Sequence, residues 1–138
     1  MTIKDKAFLS YNFAVDKKAL NIVIFDIRRY TSIADAFLIC SGTSSRHVQA
    51  IADAVEEGMR EKGIRSHHRE GYETGKWILL DYVDLVVHIF HEETRRFYNL
   101  ERLWGDAESI VFDSGEDTIH KETVIHKQKR GIRLIDKG

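Results

Sequence analysis

AFLICSGTSSRHVQAIADAVEEGMREKG, residues 36–63, changes its period partway along. The first six residues are a short apolar run of strand length. Gly42 to Ser45 then supplies a turn, with hydroxyl side chains that can accept from the free N–H groups of a helix's first turn. From 45 to about 62, Val48, Ile51, Ala52, Val55 and Met59 fall on one apolar stripe of a helix. Gly63 stands where a helix stop favours positive φ. A strand, a capped turn and an amphipathic helix are the parts of a sheet covered by helices.

The flanks extend this pattern. Residues 22–27, rich in β-branched side chains, predict a buried strand. Residues 28–34 connect it to 36–41, too few for a crossover helix. Residues 4–20 predict a helix with Ala7, Phe8, Tyr11, Ala14, Val15 and Ala19 on roughly one side. Residues 65–70 predict a short polar edge strand, and Gly71 to Gly75 a turn. Only Val83-Asp84 separates the strands 76–82 and 85–90, so an antiparallel hairpin is expected. A last helix over 92–104 would turn Phe97, Leu100, Leu103 and Trp104 inward and stop at Gly105. The order α-β-β-α-β-β-β-α predicts an α/β (α+β) domain, a mixed sheet of about five strands with flanking helices. The strand following the long helix is positioned to return parallel.

The chain has 138 residues and a near-neutral formal charge of -1, which disfavours a strongly basic nucleic-acid binder. Cys40 is the single cysteine, so an internal disulfide is excluded. No run approaches the roughly 18 apolar residues of a membrane span, and the N-terminus lacks a secretory pattern. A cytoplasmic location is expected. The composition shifts after about residue 107. Residues 105–117 carry Asp106, Glu108, Asp113, Glu116 and Asp117 without a base, while 118–138 are mostly basic. A body over 1–107 and a charged extension over 108–138, either mobile or folding only on a partner, are expected.

Several residues could carry chemistry. His67, His68, His88 and His91 do not form the converging set of ligands that zinc requires, so no metal site and no cofactor are expected. Cys40, within an apolar strand, reads as a small hydrophobe. Thr43, Ser44, Ser45 and Arg46 open a helix after a strand and could hold an anion; the competing reading is a capped helix without a ligand. Paired acids could hold magnesium, but Asp81 and Asp84 are three apart, which on a strand puts them on opposite faces. Trp77, and Tyr98 with Arg95 and Arg102 on its side of the last helix, are either interface residues or core.

Three blocks resemble the ribosomal silencing factor family, also called the Iojap family. The first is Asp35 to Asp53; the second is Glu70-Gly71 with Trp77 to Phe90; the third is Glu92 to Gly105, with its RRFYNLERLW core. The resemblance implies a nucleotidyltransferase-like mixed sheet without a catalytic role. It also implies docking on the large ribosomal subunit through the ribosomal protein numbered fourteen. That docking blocks joining with the small subunit and so represses translation. The docking surface is then expected on the hairpin's outer face and the last helix: Trp77, Leu80, Asp81, His88, Phe90, Tyr98 and Arg102. Strand alternation already divides Trp77, Leu79 and Asp81 from Ile78, Leu80 and Tyr82. Residues 110–138 have no counterpart in the family pattern; their basic half could contact ribosomal RNA. An exposed apolar sheet face could also form a homodimer in the free protein. Two alternatives remain: a large-subunit assembly factor, and a nucleotide-binding nucleotidyltransferase-like enzyme.

Overall fold

The computed structural model describes residues 2–28, 32–98, 108–112 and 119–120. Helix α1 spans Ile3–Asp16 and strands β1 and β2 span Leu20–Asp26 and Ala36–Gly42. Helix α2 spans Ser45–Glu61, followed by β3 (His68–Glu70), β4 (Trp77–Asp81) and β5 (Leu85–His91). Helix α3 (Glu92–Tyr98) follows β5 directly, then β6 (Glu108–Phe112) and β7 (Ile119–His120). The sheet order is β3-β4-β5-β2-β1-β6-β7.

The mixed sheet with flanking helices is as expected. The parallel return, however, is made by β5, which pairs with β2 from Ala36↔Leu85 to Gly42↔His91. The first strand after α2, β3, instead pairs antiparallel with β4 at the edge. The hairpin is antiparallel, with Trp77 opposite Phe90 and Leu79 opposite His88. β6 pairs antiparallel with the outer edge of β1. The sheet therefore runs past residue 107, into residues that the charge pattern groups with the extension.

Strand β2 is central, and every one of its residues is buried. One sheet face, with Ile24, Leu38, Cys40, Leu80, Val87 and Ile89, packs under α1 and α2. The α2 stripe of Val48, Ile51, Ala52, Val55 and Met59 is fully buried there. Each large member contributes about 1.5–3 kcal/mol through burial. Helix α1 turns Ala7, Ser10, Tyr11 and Ala14 inward, but it stops at Asp16, so Val15 is exposed and Ala19 lies beyond its end. Thr2 caps α1 in a reciprocal box with Asp5. Lys6 Nζ meets the Asp84 carboxylate at 2.9 Å, fastening α1 to the hairpin turn.

The opposite face gathers Val23, Phe25, Phe37, Ile39, Val86 and Phe90, with Trp77 and Leu79 at its margin. Helix α3 is held against this side by Arg95, which is buried. Its Nη1 donates to the Asn21 carbonyl at 2.7 Å and to Ser41 Oγ at 2.8 Å. Arg95 thus points inward. Among the described residues, no helix is long and apolar enough to cross a membrane.

Candidate functional site

Strand alternation determines which residues of the hairpin can meet a partner. Trp77, Leu79 and Asp81 are each half-buried, whereas Ile78 and Leu80 are fully buried on the α1–α2 side. Leu80 is therefore a correction to the expected docking set: it lies on the wrong face, beneath the helices. His88 and Phe90 lie on the same face as Trp77, but beneath the surface, not on it. Tyr98 ends α3; its side chain, and all of Arg102, lie outside the described residues.

Trp77 is supported from below. Its ring stacks on Phe90, with centroids 4.8 Å apart and planes 29° apart. Its Nε1–H donates to His88 Nδ1 at 3.1 Å. An indole N–H can only donate, so Nδ1 accepts and the imidazole proton sits on Nε2. Burial, which disfavours the charged ring, pulls His88 down to about 4. Phe37 meets the same imidazole edge-on at 4.7 Å.

An open hollow adjoins Trp77, lined by Thr74, Lys76, Trp77, Glu93, Thr94 and Phe97. Phe97, on α3, is 79% exposed. The last-helix reading turned this residue inward; the structure turns it outward, because Arg95 takes the inward position two residues earlier. The turn before Trp77 is set by two glycines with positive φ. A Cβ on Gly71 would run into the Trp77 carbonyl, and one on Gly75 into the backbone of Ser45. The turn is thereby wedged between β4 and the start of α2, and Gln49 Nε2 donates to the Tyr72 carbonyl at 2.7 Å.

The loop of Thr43, Ser44, Ser45 and Arg46 has its own internal bonding. Ser44 Oγ accepts from His47 N–H at 3.0 Å, capping α2. Thr43 N–H donates to His47 Nδ1 at 2.9 Å, which assigns the ring proton to Nε2, 2.7 Å from the Lys17 carbonyl. Two amides that an anion would use are therefore engaged, and Arg46 extends into solvent.

The acidic pair is divided as well. Asp81 Oδ1 accepts from Val83 N–H at 2.8 Å, while Asp84 is committed to Lys6. Among the described residues, no three metal-ligating side chains converge. Cys40 is fully buried, and burial pushes its thiol up to about 12, opposed by the Arg95 charge. No reactive thiolate forms there at neutral pH.

Comparison with known proteins adds to this picture. The family described as Ribosomal silencing factor during starvation matches residues 2–133. That match continues well into the stretch for which the sequence pattern shows no counterpart. Ribosomal silencing factor RsfS of Halalkalibacterium halodurans is 46% identical over 105 residues, covering 76% of this chain and 90% of that protein. A Mus musculus protein named Mitochondrial assembly of ribosomal large subunit protein 1 is 31% identical over 91 residues, 64% of this chain and 40% of its own length. A crystal structure from Chromobacterium violaceum matches with a TM-score of 0.75 at 33% identity, covering 76% of this chain and 88% of that one.

Proposed function

The chain belongs to the ribosomal silencing factor family, and from that premise we propose that it docks on the large ribosomal subunit in the cytoplasm and keeps the small subunit from joining. The contact is with the ribosomal protein numbered fourteen, and the chain acts by occupancy, without catalysis. The observation that supports this reading is the margin of the second sheet face. Trp77 stands there half-buried on a rigid aromatic base, beside the hollow that Phe97 borders. Preordered aromatic anchors next to a shallow hollow suit a protein partner better than a small substrate. The division of Asp81 from Asp84 weighs against a nucleotidyl-transfer reading.

In this reading Trp77 and Asp81 meet the partner directly. His88 and Phe90 act from beneath; Tyr98 and Arg102 complete the proposed set, Arg102 and the Tyr98 side chain lying outside the described residues. The basic residues of 118–138 add contacts to ribosomal RNA phosphates. In the free protein, a second copy could cover the same aromatic margin. The test is binding of the purified chain to the purified ribosomal protein numbered fourteen. Trp77→Glu is expected to weaken it at least tenfold without unfolding the chain, because the indole is only half-buried. Equal binding by Trp77→Glu would take the surface off this margin.

A second reading has its own support in the mouse relative, whose name assigns it to assembly of the ribosomal large subunit. An assembly factor would prefer precursor particles to mature subunits. Competition between the two particle types separates the readings.

A further inference from the structure

We propose that His88 is a positioning residue that holds the Trp77 indole in its docking orientation; the proposal rests on the docking reading above. His88 sits on a face whose apolar members are Val23, Phe25, Phe37, Ile39, Val86 and Phe90; the other buried polar side chains on this side, Ser41 and Arg95, are bonded to each other. It is 5% exposed. Nδ1 accepts the indole proton at 3.1 Å, which leaves the other ring proton on Nε2. Nε2 is buried and has no hydrogen-bond partner among the described residues. A buried donor without a partner costs stability, and an apolar residue of similar size would avoid that cost. Stability therefore does not account for an imidazole here. What the imidazole supplies, and a leucine cannot, is an acceptor beneath the indole.

The geometry makes that acceptor useful. Stacking on Phe90 sets the height and tilt of the Trp77 ring but tolerates rotation within the ring plane. The Nε1–Nδ1 bond removes that freedom, because only one ring orientation brings the N–H over His88. Trp77 lies opposite Phe90 and His88 opposite Leu79, so the bond runs diagonally across the β4–β5 ladder. A preset anchor loses less rotamer freedom when it docks, which amounts to roughly three- to tenfold in affinity per immobilised side chain.

The test uses the full chain with Trp104→Phe, so that Trp77 is the only tryptophan. His88→Leu and His88→Gln are compared in that background. Acrylamide quenching reads the order of the indole, thermal melting reads stability, and sedimentation with large subunits reads binding. The expected result for His88→Leu is a melting temperature unchanged or raised, a more readily quenched indole, and binding weakened roughly three- to tenfold. His88→Gln, which restores an acceptor, should recover both quenching and binding. If His88→Leu binds as tightly as the parent while Trp77→Glu loses binding, the positioning role is overturned and the docking surface stands. If Trp77→Glu also binds normally, the docking reading fails and the proposal falls with it. Should His88→Leu not fold, His88→Phe takes its place. Loss of folding in both would make the imidazole structural and overturn the proposal.

Discussion

Acidification should destabilise this fold before its carboxylates protonate, and His88 is the reason. In the unfolded chain its imidazole titrates near 6.5; in the folded chain burial pulls it down to about 4. Between those values the unfolded chain binds a proton that the folded chain refuses. Stability therefore rises with pH across this window and falls as pH drops through it. The contribution is fully present above pH 6.5 and gone below pH 4. At about 1.4 kcal/mol per pH unit, the whole interval amounts to about 3 kcal/mol, of which a little under half is lost by pH 5.5. Asp26 acts in a lower window. Burial raises its carboxyl, but the hydrogen bonds and charge of Arg28 outweigh that, so its contribution is lost only as pH falls below the ordinary value of 3.8. Urea denaturation from about pH 7.5 to 4, repeated on His88→Gln, isolates the histidine. The native chain should lose about 3 kcal/mol more than the variant across that range. Parallel pH profiles for the two proteins would refute the buried neutral imidazole.

Three further outcomes follow from the packing. Cys40 should resist a thiol reagent in the native chain and react fully in denaturant, since it is buried with its thiol pushed up to about 12; prompt native labelling would contradict its placement. Gly71→Ala should cost about 2 kcal/mol or more, read as a lowered melting temperature, because the added Cβ meets the Trp77 carbonyl at positive φ. Arg95→Ala should cost about 2 kcal/mol by leaving the Asn21 carbonyl and Ser41 Oγ without their donor. Hydrogen exchange would localise that loss to α3 and the neighbouring ends of β1 and β2.

Local signals were legible in the sequence, and long-range ones were not. The α2 stripe and the Val83-Asp84 gap each depend on neighbours a few residues apart, and the helix and the hairpin appear where those patterns put them. The parallel partner of β2 was not legible, because β3 and β4 intervene and nothing in their composition marks β5 as the strand that returns. The pairing of β6 with β1 was hidden for a related reason. SIVF lies within an acidic stretch, and the edge that it joins is more than 80 residues earlier. Arg95 illustrates the limit of helical periodicity. Its partners are 74 and 54 residues away, so its inward turn could not be read from α3 alone. On the hairpin, alternation correctly separated Trp77 from Leu80, yet the residue set expected for docking combined both faces. The Trp77–His88 bond is a diagonal contact set by the β4–β5 register, which the sequence does not print.

Silencing by occupancy of the large subunit is the reading on which the proposed roles of these residues depend. The direct measurement is subunit joining in a mixture of purified small and large subunits, followed by sedimentation as the chain is added. The expected result is that the chain travels with the large subunit alone and that joined ribosomes decrease in proportion to its occupancy. Trp77→Glu should restore joining. Undiminished joining at full occupancy of the large subunit would contradict the account and favour the assembly reading, and absence of binding to either subunit would contradict both.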